Sequence, residues 1–280
     1  MFMMLIGSSG VGKNTLIKAL KQQNKKVVLM PTLTARPMRN GEKQGNPYYF
    51  YTKEEFQEKI KNNELLEYEL IHGNYYGSSK LIFDDYIKKG KILVKDIGVE
   101  GAVNLSRLLK DYTKTIQVFL KTKNKQVLVK RLKERGETEI KKRLKRYKYE
   151  QGERYKFDFI ILNKTINQTV ELLKEILKNE NELANYVFTK PVEKLRKKKI
   201  KALSEEYSVG YMPSAIRVAL KDGKIYVLKG HEELVASIIA GVTICKEVYE
   251  GNKIKTLTES EMAEWKNYLR AIELEVKQKD

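Results

Sequence analysis

The run Gly7-Ser8-Ser9-Gly10-Val11-Gly12-Lys13 carries the plainest chemistry in the chain. Glycines at this spacing let backbone N–H groups turn inward around an oxyanion, and the closing lysine reaches the outer phosphates of a nucleotide, as in the phosphate loop G-x-x-x-x-G-K. The loop works where a strand runs into a helix, because the first N–H groups of the helix are unpaired and point at the anion. Residues 1–6 are apolar and residues 15–22 continue with apolar side chains at helical spacing, so strand, loop and helix follow in order. Position 14, where a serine or threonine hydroxyl usually meets Mg²⁺, holds Asn14 followed by Thr15, and an amide oxygen can also ligate Mg²⁺.

A phosphate loop identifies a nucleotide, not a reaction, and the acceptor must be read elsewhere. Arg36 and Arg39 lie three apart before a glycine-bearing turn and the aromatic cluster Tyr48-Tyr-Phe50. Two guanidiniums suit a phosphate, since each offers a planar fork of donors with permanent charge. Further on, Glu64-Leu-Leu-Glu67-Tyr leads into Gly73-Asn-Tyr-Tyr76-Gly-Ser78. Guanine presents N1–H and its 2-amino group beside the O6 acceptor; one carboxylate and one hydroxyl answer that edge, whereas adenine shows the wrong pattern.

These groups need a rigid frame. Short β-rich runs at 27–30, 92–97, 115–119 and 157–162 alternate with helical patterns at 54–62, 125–134, 137–150 and 167–178. That alternation predicts an α/β fold with a central, mostly parallel sheet covered on both faces. Residues 184–201 mix Pro191 with Arg196-Lys-Lys-Lys199 and carry no apolar period, which marks a basic linker. Beyond it, strands at 216–220, 225–228 and 242–248, helix 232–240 and a last helix from Glu259 predict a small α/β domain over 202–280.

With its segments in this order, the chain resembles the guanylate kinases over residues 1–183, through the patterns T-x-R-x-x-R-x-G-E…Y-x-F and L-E-Y…G-N-Y-Y-G-S. The resemblance implies a P-loop nucleoside monophosphate kinase that transfers the γ-phosphoryl of ATP to GMP or dGMP with Mg²⁺. It implies that Arg36, Arg39, Tyr48 and Tyr76 hold the acceptor phosphate, that Thr32, Glu67 and Ser78 read the base, and that Lys13 bridges to the transferred group. Arg135 and Arg143 fall in a stretch similar to the family's lid, where they meet the donor nucleotide, and Asn163 matches an asparagine near the adenine. Asp96 matches an acid that organises Mg²⁺ and its waters, with Asn14 as the loop's ligand. The family's second acid, a purine contact, is replaced here by Gly98.

Residues 216–248 resemble the core of the ParB and sulfiredoxin superfamily, through Asp222-Gly-Lys-Ile-Tyr-Val-Leu-Lys-Gly230-His231. That family carries a phosphate-binding arginine where this chain has Glu232 and Glu233.

Composition narrows the alternatives. The 280 residues are 41% hydrophobic and 32% charged, which excludes a disordered chain. A net charge of +19 invites a polyanion, but residues 1–180 hold 37 basic against 21 acidic side chains and residues 181–280 hold 18 against 15. The surplus therefore sits with the phosphate-handling segment, and a nucleic-acid partner is an alternative that is not favoured. A kinase fold kept only as a binding module is the other alternative; Lys13, both acceptor arginines and both tyrosines argue against it. The single Cys245 lies in an apolar run and is expected to be buried and inert. No apolar run suits a signal peptide or a membrane span, so a cytoplasmic location is expected. The oligomeric state leaves no signal.

Overall fold

The fold is described from a computed structural model covering residues 1–38, 41–45, 48–71, 73–178, 186–249, 254 and 256–277. The chain forms two compact units, Met1–Gln117 and Val118–Asp280.

In the first unit, β1 (Phe2–Ile6) leads into helix α1 (Lys13–Gln23), followed by β2 (Val27–Leu29), β3 (Thr32–Thr34), β4 (Tyr48–Phe50) and α2 (Lys53–Lys61). Then come β5 (Leu65–Ile71), β6 (Asn74–Ser79), α3 (Lys80–Lys88), β7 (Ile92–Ile97) and α4 (Val99–Leu109). All five residues of β1 are buried, the pattern of a strand covered on both faces, and it pairs in parallel with β7, Leu5 opposite Asp96. β2 flanks β7, again in parallel. α1 covers this sheet with Leu16, Ile17 and Leu20. Phe2 meets Phe83 of α3 edge-on, with 5.4 Å between ring centroids.

A second sheet runs in the order β4-β3-β6-β5. Its core is Leu33, Phe56 and Leu65, and Phe56 stacks on Tyr75 at 5.3 Å. α2 starts with a capping box: Thr52 accepts from the Glu55 N–H and the Glu55 carboxylate accepts from the Thr52 N–H, which ties two otherwise orphaned donors. At Gly77 of β6 a Cβ would stand 2.7 Å from the Glu67 carbonyl oxygen, so only glycine lets β5 and β6 approach this closely.

The division between units falls within β8 (Thr115–Lys121). The second unit continues with α5 (Lys125–Glu134), α6 (Ile140–Arg143), α7 (Tyr147–Glu153), β9 (Phe159–Leu162), α8 (Ile166–Lys178), β10 (Tyr186–Phe188) and α9 (Lys197–Ser208). It ends with β11 (Ile216–Lys221), β12 (Lys224–Lys229), α10 (His231–Ile239), β13 (Lys246–Val248) and α11 (Glu259–Lys277). Residues 118–121 of β8 pair in parallel with β9, and β9 pairs in parallel with β13. β13 pairs with β11, β11 forms a hairpin with β12, and β10 closes the edge beside β12. Phe119 stacks on Phe157 at 5.9 Å, and α8 buries Val170, Leu173 and Ile176.

The elements anticipated in this half are present, with three differences, one being that the strand expected over 242–248 spans only Lys246–Val248. The single helix expected over 137–150 is two, α6 and α7, parted by a turn at residues 144–146. Lys141, Lys142, Arg143, Lys145, Arg146 and Lys148 would crowd one continuous helix with like charges three and four apart. The segment read as a basic linker holds β10 and the start of α9. Trp265 of α11 stacks on Phe188 at 3.6 Å and donates its indole N–H to the Lys190 carbonyl. The basic stretch is partly paired: Lys190 and Arg196 meet Glu232 and Lys199 meets Glu233, both on α10, while Arg196, Lys197 and Lys198 stay exposed. Cys245 is buried, and that burial pushes its thiol up to about 12.

Candidate functional site

The phosphate loop lies between β1 and α1. Gly10 and Gly12 have φ of +83° and +106°, in the left-handed region that a side chain would resist. Gly12 is the N-cap of α1; it supplies no side-chain cap, and the first turn carries no acid, so the helix start is left open to an anion. Ser8 is buried and its carbonyl accepts from the Val11 N–H at 3.1 Å, which closes the turn. Lys13 folds back along the loop. Its ammonium donates to the Gly7 carbonyl and lies 3.5 Å from both the Ser8 carbonyl and a carboxylate oxygen of Asp96. Ser9, Asn14 and Thr15 are at least partly exposed on the same loop and first helical turn.

Asp96 is the exposed residue near the C-terminal end of β7. Parallel pairing with β1 brings it beside the loop, the end of a parallel sheet where ligands collect. Among the described residues no group of three or more Asp, Glu, His or Cys could hold a metal alone. The oxygen donors present, the Asn14 amide and the Asp96 carboxylate, suit Mg²⁺, which keeps several waters and takes few protein ligands.

The second sheet gathers the expected acceptor residues. Thr32 on β3 stands opposite Tyr48 on β4, and Thr34 opposite Tyr76 on β6. The Tyr48 and Tyr76 rings lie 6.0 Å apart, edge to face. Burial, and then the neighbouring Tyr76, push the Tyr48 phenol upward, so that ring stays a neutral donor at ordinary pH. Arg36 follows β3, its backbone N–H held by the Thr34 hydroxyl at 3.1 Å. Its guanidinium carbon stands 5.6 Å from the Tyr48 ring and 5.5 Å from the Phe50 ring. Arg39 lies outside the described residues.

At the other end of this sheet Glu67 on β5 faces Ser78 on β6, and the Ser78 hydroxyl donates to Glu67 Oε1 at 2.7 Å. The ammonium of Lys95, from β7, donates to Ser78 Oγ at 2.7 Å and sits 3.3 Å from Glu67 Oε1.

Two site residues escaped the sequence reading. Glu42 chelates Arg36; it belongs to the T-x-R-x-x-R-x-G-E pattern, which was the available signal. Lys95 interrupts the apolar run Ile92-Leu-Val, and a lysine among core positions was the signal there.

The remaining residues belong to the second unit. Arg135 is the exposed C-cap of α5. Arg143 ends α6 and pairs with Glu137. Asn163 follows β9, buried; its side-chain oxygen accepts from the Thr169 hydroxyl at 2.9 Å, and its carbonyl accepts from Arg131.

A family model described as guanylate kinase matches residues 2–180. A guanylate kinase of Prochlorococcus marinus subsp. pastoris is 36% identical over 178 residues, 62% of this chain and 95% of that protein. One of Fusobacterium nucleatum is 38% identical over 180 residues, 62% of this chain and 93% of that protein. The crystal structure of guanylate kinase from Anaplasma phagocytophilum aligns with a TM-score of 0.50 and 26% identity, covering 64% of this chain and 85% of that one. With the family model matching residues 2–180, most of its length, this chain belongs to the guanylate kinase family.

Proposed function

We propose that this protein transfers the γ-phosphoryl group of ATP to GMP or dGMP, giving ADP and GDP or dGDP. The observation that carries the reading is that one compact unit holds both the Lys13 phosphate loop and the sheet bearing Arg36, Tyr48, Tyr76, Glu67 and Ser78.

Phosphoryl transfer asks the protein for position and charge rather than covalent chemistry, because negative charge spreads over the equatorial oxygens of the moving group. The loop N–H groups hold the donor phosphates and Lys13 exchanges its carbonyl contacts for the outer phosphate. Arg36, Arg39, Tyr48 and Tyr76 fix the acceptor phosphate, while Thr32, Glu67 and Ser78 hold the base. Arg135 and Arg143 supply lid cations, and Asn163 belongs to the adenine side. Asn14 and Asp96 would hold Mg²⁺, which neutralises phosphate charge when bound.

The family match ends at residue 180, which supports residues 1–183 as the kinase portion; residues 202–280 are proposed as a small domain added to it, with 184–201, which carries β10 and the start of α9, leading into it. A ParB-like descent of the addition finds support in its strand–turn–strand–helix order. A phosphate ligand there finds none, since Glu232 and Glu233 already occupy the nearby cations. No helix among the described residues is long and apolar enough to cross a membrane; a cytoplasmic location is part of the proposal.

The test is coupled ADP release with ATP and Mg²⁺ against GMP, dGMP, AMP, CMP and UMP, with Lys13→Ala as the blank. Turnover confined to the guanine acceptors and lost in the variant is expected. Folded protein that binds GMP and turns over no acceptor would make it a binding module.

A further inference from the structure

Lys95 is 6% exposed and Ser78 1% exposed. Its neighbours on β7, Leu93, Val94 and Ile97, are core residues, and an apolar side chain would fit the strand at lower cost than an ammonium taken out of water. A lysine kept there needs a use beyond stability.

The proton inventory supplies one. Ser78 has a single hydroxyl proton and gives it to Glu67 Oε1, while its oxygen accepts from Lys95. Ser78 therefore has no proton left for a base. Lys95 has three; Ser78 takes one in a hydrogen bond and Glu67 Oε1 pairs with the ammonium at 3.3 Å, so at least one is left. Glu67 keeps its second oxygen for a ligand. The trio thus presents one cationic donor beside one carboxylate acceptor, at the end of the acceptor sheet.

We infer that Lys95 is a specificity-determining residue whose third proton is donated to the 6-oxo group of the acceptor base, while Glu67 accepts the N1–H, so that the site selects 6-oxopurine monophosphates as a class. The inference rests on the reading of Glu67 as a base-reading residue, and moves the donor role given above to Ser78 onto Lys95, with Ser78 holding the two in place. Guanine and hypoxanthine share the O6 acceptor and N1–H donor. Adenine inverts both, setting its amino donor against an ammonium and its bare N1 against a carboxylate. The 2-amino group separates guanine from hypoxanthine, and the acid expected to meet it is absent: Gly98 caps α4, and a Cβ there would touch nothing within 4 Å. The site therefore takes IMP as well as GMP.

Calorimetric binding of GMP, IMP and AMP to the full chain, with coupled ADP release in parallel, tests this. Wild type should bind IMP within about tenfold of GMP and AMP at least about 10³-fold more weakly, the range that mispaired buried polar groups give. Gly98→Asp puts a favoured N-cap residue into open space, so it should fold, and it should raise the preference for GMP over IMP about tenfold or more. Lys95→Met should weaken GMP and IMP alike by about 10²-fold while leaving KM for ATP unchanged, which a purely structural lysine would not do. IMP binding more than about 10²-fold below GMP in wild type, or a Lys95→Met protein that binds GMP normally, overturns the inference. Binding of both 6-oxopurines without turnover would sink the proposed activity and leave this inference standing; turnover of GMP with rejection of IMP would do the reverse.

Discussion

The guanidinium of Arg36 and the carboxylate of Glu42 form a two-pronged pair, Nη2 reaching the two oxygens at 2.8 and 3.0 Å, while Nη1 donates to the Pro37 carbonyl at 2.6 Å. The hydrogen bonds to Glu42 are the main reason that Arg36 is held charged beyond its ordinary range. The guanidinium is thereby fixed over the Tyr48 and Phe50 rings, with its orientation set by a neighbouring carboxylate.

If Arg36 is the phosphate clamp, Arg36→Met should raise KM for GMP by about 10²-fold, as loss of a charge-assisted contact costs some 2–3 kcal/mol. Glu42→Gln leaves the cation and removes its orientation, so KM for GMP should rise about three- to tenfold with KM for ATP unmoved. Steady-state kinetics over both substrates decides it. A Glu42→Gln enzyme with lower KM for GMP would show the carboxylate to be a competitor of the phosphate instead.

Arg143, the last residue of α6, pairs with Glu137, which precedes that helix. If Arg143 is a lid cation that meets only the transferring group, it acts on kcat more than on binding. Arg143→Ala is expected to lower kcat by on the order of 10³ and change KM for GMP less than about threefold. A variant whose kcat stays within fivefold of wild type would remove Arg143 from the chemistry.

How much of this was legible depends on distance along the chain. The phosphate loop and its strand and helix are local, and the glycine spacing alone predicts them. The small sheet was not legible as strands, because β3 and β4 are three residues each and carry polar and aromatic side chains without alternation. The partners of Lys95 lie 17 residues away at Ser78 and further off at Glu67, and no local pattern encodes such a meeting. The parallel pairing of β13 with β9 likewise joins residues 246–248 to 159–161. Arg196 and Lys199 of the basic run read as solvated until α10 brings Glu232 and Glu233 against them.

Gly77 tests whether β5 and β6 must approach as closely as they do. In Gly77→Ala the new methyl would stand 2.7 Å from the Glu67 carbonyl and 3.1 Å from the Phe56 ring, so the strands must part. Such overpacking costs about 1–3 kcal/mol. Because the displaced strand carries Glu67, KM for GMP should rise about tenfold while ATP binding is spared. Thermal melting and acceptor kinetics together check this, and an unchanged KM in a destabilised variant would separate the strand contact from base reading.

His231 gives the second unit a pH dependence. The ring is 5% exposed, accepts weakly from the Thr189 N–H at 3.4 Å and faces Phe188, Lys190, Glu232 and Glu233. Burial, and then the charge of Lys190, pull its pKa down to about 4, with Glu232 and Glu233 opposing. An unfolded imidazole titrates near 6.5, so between those values the unfolded chain holds more protons and stability falls as pH drops through the window, by up to about 3 kcal/mol. Glu232 acts in the same direction lower down. Its burial would raise its pKa, but the hydrogen bond and charge of Lys190 outweigh that and bring it to about 2, so its contribution fades only as pH falls below the ordinary carboxylate range. The chain's single tryptophan, Trp265, stacks on the same Phe188 and reports on this region. Urea unfolding followed by its fluorescence should lose stability steadily from pH 6.5 to 4.5 in wild type. His231→Phe should stay flat over that range and decline only below it; parallel profiles for the two proteins would assign the acid sensitivity to other groups.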